Sequence, residues 1–360
     1  MIYVNGYALV SARGGDIKSS VKSLRKEELT PVLLENGKKF YKIPEKFRFS
    51  YYDIIEKSIR DALKDADLMQ KDLSKVALFL GTSSAKLPIK EAYAKQNSTL
   101  LYDLYMDEIT EIMAERIGIK GFRTIISTAC TSSSNALVQS KEMIESGLIE
   151  KAVVVGVELY NELSLRGFES FMLLANNALK PFDKNREGII LGEAVSAIVL
   201  SAEPSFFVFL GGAVKVDTAS ITTPSPENLA MVMREVLSNA KLSPSQIYAI
   251  KAHATATIQN DEAEAKALHK IFSKKMPLVV TLKPYIGHTM GACGSSELVL
   301  FLEALKQGFI PKSIHHDTLD PECNIVPMQD ENVAIPGYYM FNYFGFGGNN
   351  SSLIFQYKGH

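Results

Sequence analysis

Short apolar, β-branched runs recur along the chain, each separated from the next by stretches with helical spacing or polar turns. In the first half, Ile2–Val10, Val76–Leu80, Thr124–Ile126, Lys151–Val157 and Ala194–Leu200 read as strands. In the second half the strands are Phe206–Val216, Ile247–Ala252, Leu278–Leu282, Tyr338–Phe341 and Leu353–Tyr357. Several are continuously apolar, such as Ala152–Val157 (AVVVGV), which suits a sheet covered on both faces. Helices are expected near Tyr52–Lys64, Leu101–Ile117, Thr131–Ser146, Asn228–Ala240, Asp261–Phe272 and Ser295–Gln307. In the third of these, Leu137, Ser140, Met143 and Ile144 share one stripe, and Gly147 supplies a stop. Strand–helix alternation implies crossover connections and a layered α/β fold.

Length and charge narrow the class. The 360 residues are enough for two half-domains, and AEPS around Pro204 marks a boundary between 1–204 and 205–360. The letters show no internal repeat, although the element order of the halves is similar. A net charge of −1 argues against nucleic-acid or membrane-surface binding, which normally brings a basic excess. The opening MIYVNGYALVSARGG lacks the pattern of a signal peptide. Apolar runs stay short of the ~18 residues that a membrane helix needs. Three cysteines (Cys130, Cys293 and Cys323) are an odd count for a disulfide framework and suggest a reducing cytoplasm. CxxC and HExxH are both missing, so no metal site is expected. Lys18–Lys42 reads as solvated loop and helix surface.

Three segments carry chemistry, in a set order: STACTSSSNAL around Cys130, HATATIQNDEAEA around His253, and KPYIGHTMGACGSSE around Lys283 and His288. A thiol followed by two imidazoles is what carbon–carbon bond formation on a thioester needs. The thiol carries an acyl group, and two N–H donors stabilise an enolate. Cys130 falls at a strand-to-helix turn, where the dipole and free N–H groups favour thiolate and are expected to lower its pKa. Its own N–H can face an oxyanion. Thr255 and Thr257 point the same way along an extended backbone and can line a channel for an amide-rich arm. Asn260 and Asp261 sit where a helix N-cap is wanted. Gly287, Gly291 and Gly294 allow close backbone approach around His288. Glu297 is placed to bond Lys283 or to orient an imidazole. Cys293 reads as packing between glycines, and Cys323 as a loop residue without a chemical role. His269, His315, His316 and His360 read as surface or structural. The glycine-rich Phe344–Gly348 (FGFGG) reads as backbone that must approach something closely, or else as a bulge or loop tip.

Together these segments resemble the β-ketoacyl-acyl carrier protein synthases of the KAS I/II type, in the thiolase-fold superfamily. Lys180–Ser201 (KPFDKNREGIILGEAVSAIVLS) is similar to that family's PFDxxRxGxxxGEGA stretch, and the spacing from Lys283 through His288 to Glu297 fits its motif. The resemblance implies a thiolase-like fold: two related βαβαβαββ halves forming a layered α-β-α-β-α core. It also implies a ping-pong, decarboxylative Claisen condensation. Cys130 would take the acyl group, and its N–H with that of Phe346 would form the oxyanion hole. His253 and His288 would stabilise the malonyl enolate, with Lys283 and Glu297 holding that network. Thr255 and Thr257 would contact a phosphopantetheine arm, and Phe346 would gate the malonyl site. The implied partner is an acyl carrier protein that brings the arm, so no cofactor of the chain's own is expected. A homodimer, or a heterodimer with a related ketosynthase-like subunit, is implied too, and AVVVGV is a candidate edge strand for that interface.

The chain also departs from the family's motifs. HGTGT is HATAT here, so Ala254 and Ala256 replace glycines, and their methyls bear on the pantetheine tunnel by narrowing it or shifting its backbone. FGFGGTN is FGFGGNN, with Asn349 in place of threonine. The alternative reading is a non-condensing, chain-length-setting partner subunit, against which Cys130 argues. A coenzyme A thiolase would want a second cysteine in the C-terminal glycine-rich segment, and a KAS III-type enzyme would want asparagine at His288.

Overall fold

The computed structural model describes residues 1–25, 29–95, 105–273 and 275–359. Among these residues, ten strands form one mixed sheet. Numbered along the chain, they are β1 (Ile2–Ser11), β2 (Val76–Gly81), β3 (Arg123–Ile126), β4 (Lys151–Glu158) and β5 (Ala194–Ser201), then β6 (Phe207–Val216), β7 (Ile247–Lys251), β8 (Leu278–Val280), β9 (Gly337–Phe344) and β10 (Asn349–Tyr357). Their order across the sheet is β8-β7-β9-β10-β6-β1-β5-β4-β2-β3. Counted from either edge inward, the halves run 3-2-4-5-1 and 8-7-9-10-6, one topology used twice. Strand directions repeat as well. The outer pairs are parallel and the inner pairs antiparallel in both halves. The halves join where Ile2–Val4 of β1 runs antiparallel to Phe207–Phe209 of β6.

The helices are α1 (Ile17–Leu24), α2 (Tyr51–Asp65), α3 (Leu87–Lys95), α4 (Glu108–Ile117), α5 (Ser132–Glu145), α6 (Glu162–Ser170), α7 (Pro226–Asn239), α8 (Ile258–Ile271), α9 (Lys283–Ile286) and α10 (Cys293–Lys306). Three apolar clusters set the layers. In β4, Ala152 and Val154 face the central cluster, where Leu137 of α5 and Leu298 of α10 pack. Val153, Val155 and Val157 face the opposite way, against Ile55 and Ile59 of α2 and Met113 of α4. In the second half, Ile250 of β7 and Ile354 of β10 pack with Val236 of α7 and Leu268 of α8. The continuously apolar strands are therefore buried on both faces. The result is helix, sheet, helix, sheet, helix, with α5 and α10 in the middle.

Each expected strand forms. AVVVGV does not lie at an edge: β4 runs between β2 and β5, and its apolar faces are spent on the two helix layers. The edge on that side is β3, half-buried along its length. Of the expected helix Leu101–Ile117, residues 101–104 lie outside the described residues, and the helix runs Glu108–Ile117. Helices α1, α3, α6 and α9 are short or weakly patterned and escaped the periodicity. Gly147 takes φ +75° just past α5.

Candidate active site

The strand order brings four chain-distant turns together above the middle helices. After β3, a single 3₁₀ turn (Ala129–Thr131) presents Cys130 immediately before α5. Ala129 holds φ +52°, a left-handed conformation that bends the chain sharply into the helix. β7 delivers His253, and β8 leads into α9, whose first residue is Lys283. His288 follows on backbone that pairs with the GIILGEA segment. Its N–H donates to the Ile190 carbonyl at 2.8 Å, and its carbonyl accepts from Gly192 N–H at 3.0 Å. Close packing of α5 on α10 needs Gly294, where a Cβ would lie 2.3 Å from Ser134 N.

Cys130, His253 and His288 are all buried, and their Sγ and ring nitrogens lie within 4.8 Å of one another. Among the described residues, this is the one His/Cys/carboxylate group compact enough to grip a cation. Sγ of Cys130 is 3.1 Å from Nε2 of His288. The imidazoles meet edge to face, with ring centroids 5.5 Å apart. Nζ of Lys283 reaches three groups: the His253 carbonyl at 2.6 Å, Oε1 of Glu297 at 2.8 Å and Nδ1 of His253 at 3.3 Å. An ammonium only donates, so Nδ1 of His253 is the acceptor and its ring proton sits on Nε2. His253 is thereby held as a hydrogen-bond donor toward the cleft.

Burial drives the protonation states. Both imidazoles are pushed well below the usual histidine pKa, first by burial and next by the charge of Lys283, so both are neutral at pH 7. Lys283 is held above its ordinary value: burial opposes its charge most strongly, but Glu297, Cys293 and Cys130 together outweigh it. Cys130 runs against the sequence expectation. Burial pushes its thiol up to about 11, although Lys283 and the N–H of Phe346 pull the other way. The argument from free N–H groups had the right sign, but desolvation is the larger effect. The resting group is a thiol beside a neutral imidazole that can accept its proton.

Phe346 lies on a tight loop after β9. Gly347 and Gly348 have φ near +79° and +77°, and a Cβ on Gly348 would lie 1.8 Å from the Asp217 carbonyl oxygen. The N–H groups of Phe346 and Cys130 both face the sulfur. Asn349 ties this loop to the nucleophile turn. Its Oδ1 accepts from Thr131 Oγ1 at 2.7 Å and from Asn135 Nδ2 at 2.8 Å. The Phe346 ring stacks on Phe168 of α6, centroids 5.7 Å apart. This aromatic pair separates two spaces that share Cys130. One is a slot of about 30 Å³ lined by His253, Thr255, Thr257 and Ile221. The other is a chamber of about 250 Å³ lined by Phe168, Phe171, Met290 and Ser164.

The HATAT segment corrects two expectations. It is not extended, because Ala254 and Ala256 take φ +50° and +62°. Thr255 and Thr257 still share a side, their hydroxyls 2.9 Å apart. Both alanine methyls are buried in apolar clusters away from the slot. They do not narrow it. The N-cap of α8 is Thr257 rather than Asn260 or Asp261. Asp261 instead accepts from the backbone of Ala256 at 3.1 Å and of Phe182 at 2.8 Å.

Other side chains were less legible. Glu297 does bond Lys283, but its second oxygen holds Lys251, which sequence reading passed over. A lysine inside the apolar strand IYAIK was the available signal. Glu264 holds the backbone of His253 and Ala254, both at 2.8 Å, and Glu158 holds Ser83 N at 3.0 Å and Gly291 N at 2.8 Å. Cys293 is packing as expected, its Sγ 3.0 Å from the Cys130 carbonyl. Cys323 lies in a turn but is fully buried. His269 bonds the Cys323 carbonyl, and His360 lies outside the described residues.

Residues 53–204 match the family model of the β-ketoacyl synthase N-terminal domain, and residues 206–317 match that of its C-terminal domain. A 3-oxoacyl-[acyl-carrier-protein] synthase 2 of Staphylococcus aureus is 27% identical over 340 residues, covering 86% of this chain and 84% of its own. Among solved structures, the ketosynthase ApeO in complex with its chain length factor ApeC, from Xenorhabdus doucetiae, gives a TM-score of 0.85 at 25% identity, covering 99% and 98% of the two chains. A β-ketoacyl synthase from Burkholderia phymatum STM815 gives a TM-score of 0.89 at 23% identity, covering 99% of each.

Proposed function

The chain belongs to the β-ketoacyl synthase family, and from that premise we propose that it is an acyltransferase condensing an acyl group held on Cys130 with malonyl-acyl carrier protein. The observation that carries this reading is the Cys130–His288 contact of 3.1 Å, with the donor-held His253 beside it. In the first half-reaction, the Cys130 thiol gives its proton to His288 Nε2, and sulfur attacks the incoming thioester. The N–H groups of Cys130 and Phe346 receive the oxyanion. The carrier's pantetheine thiolate leaves and takes up the proton.

In the second half-reaction, malonyl carboxylate departs as carbon dioxide, so no strong base is needed. The electron pair of the broken C–C bond becomes an enolate, its oxygen bonded by Nε2–H of His253 and by His288 once its single ring proton, held by no partner at Nδ1, has passed to Nε2. The enolate carbon attacks the acyl-Cys130 carbonyl, a new C–C bond forms, and Cys130 leaves as thiolate to be reprotonated. Each placed donor of this kind is worth about 10²–10³ in rate. In this reading the half 1–204 supplies the nucleophile and the half 205–360 the enolate donors. The pantetheine arm enters by the slot beside Thr255 and Thr257, and the acyl chain occupies the apolar chamber behind Phe168 and Met290. The chain brings no cofactor of its own.

The partners follow from the same reading: an acyl carrier protein, and a second ketosynthase-like chain, either its own copy or a relative. Three unpaired, buried cysteines support a reducing, cytoplasmic setting. Among the described residues, no helix is long and apolar enough to cross a membrane. The test is to incubate the protein with acyl-loaded carrier protein and measure mass added at Cys130. Acylation of wild type and none of Cys130→Ala is expected. An unacylated wild type, or an acylated Cys130→Ala, refutes the reading. Malonyl decarboxylation without acylation would instead mark a non-condensing partner subunit.

A further inference from the structure

Lys251 is fully buried on β7, two residues before His253. Its Nζ lies 2.6 Å from Oε2 of Glu297 and 2.9 Å from the Asn342 carbonyl, and 3.6 Å from the Tyr343 ring centroid. Oε1 of the same carboxylate belongs to Lys283. One lysine would neutralise Glu297. The second turns a neutral buried pair into a trio of net positive charge directly behind His253. Its neighbours Ala249, Ile250 and Ala252 are apolar and buried, so an apolar side chain would suit the strand. Burying one more charge carries a desolvation penalty that pairing only partly repays. A charge kept in such a place needs a task that an apolar residue cannot perform.

Resting on the condensing reading above, we propose that Lys251 is a positioning residue for the enolate half-reaction. It grips Glu297 from its second oxygen, so the carboxylate cannot rotate and Lys283 stays aimed at Nδ1 of His253. His253 is thereby locked as an Nε2–H donor.

The experiment measures malonyl-carrier decarboxylation by wild type, Lys251→Met and Lys251→Gln, each alone and combined with Glu297→Gln. Lys251→Met is expected to lower kcat by about 10–100-fold, the usual loss when a partner that orients a working group is removed. KM should stay near the wild-type value. The double variant should be no slower than Glu297→Gln alone, because both changes cut one linkage. For Lys251→Ala, added methylammonium should restore part of kcat. An unchanged kcat, or losses that multiply in the double variant, overturns the proposal. If Lys251→Met does not fold, the more polar Lys251→Gln decides. Failure of both to fold assigns the lysine to folding and overturns it too. A wild type inert toward malonyl carrier protein refutes the condensing reading itself, which is a different result from an active wild type indifferent to Lys251.

Discussion

At the scale of single residues, desolvation decides the behaviour of Cys130. A thiol pushed up to about 11 is ionised to only about one part in ten thousand at pH 7. In the proposed condensation, reactivity then comes from proton transfer to His288 during attack, not from a standing thiolate. A neutral alkylating reagent that cannot use that relay should react with Cys130 faster as pH rises, about tenfold per unit from pH 7 to 10. Iodoacetamide trapping followed by intact mass checks this. A plateau near pH 8 would mean that the dipole and Lys283 outweigh burial after all. His253 teaches a related lesson: its donor role is set by the ammonium on its other nitrogen, not by its own pKa. The residue types at both positions were legible, while their protonation depends on what the rest of the chain packs around them.

At the scale of elements, the turn joining β7 to α8 stores conformational strain. Ala254 and Ala256 adopt left-handed φ, which costs an L-residue roughly 1–2 kcal/mol each. Two terms oppose that cost: each buried methyl contributes about 0.8 kcal/mol, and glycine would add unfolded-state entropy. Ala256→Gly should therefore shift unfolding free energy by less than about 1 kcal/mol. Ala256→Val adds branching at φ +62° and overfills a buried site, and should cost about 2–4 kcal/mol. Urea unfolding at constant m separates the two outcomes. An equal loss in both variants would show that the methyl's packing, not its φ, matters there. The segment read as extended because alternating threonines look like a strand. Backbone φ is invisible in the letters once alanine stands where glycine would have advertised it. Helix α6 escaped for a different reason. It is short and half-exposed, so its one working aromatic, Phe168, had no stripe to announce it.

At the scale of the whole molecule, β3 is where a second chain would add. In its parallel register with β2, Leu78 N–H donates to the Phe122 carbonyl and Thr82 N–H to that of Ile126. That pattern turns the N–H groups of Arg123 and Ile125 outward, unpaired within the described residues. An open edge of this kind is a template for strand pairing. The protein should sediment as a dimer, alone or with its related subunit. Ile125→Pro removes one outward donor and none from the internal ladder, which edge strands tolerate. It should shift sedimentation toward monomer while leaving a cooperative thermal transition. A dimer unaffected by that change would place the interface elsewhere.

Ordered letters alone determined the ten strands and the layered α/β class, and they pointed to Cys130, His253, Lys283, His288 and Glu297 as the candidate reacting groups. Continuous apolar runs and functional side chains are local properties, and composition over a few residues reports them. Tertiary structure decided which of those runs is an edge, which way the Ala254 and Ala256 methyls point, that burial raises the Cys130 thiol, and that Glu297 is shared between Lys283 and Lys251. Each of these depends on groups that lie far apart in the chain and meet only when β7, β8 and α10 close over one another. Desolvation and pairing are properties of that meeting, and no single segment contains them.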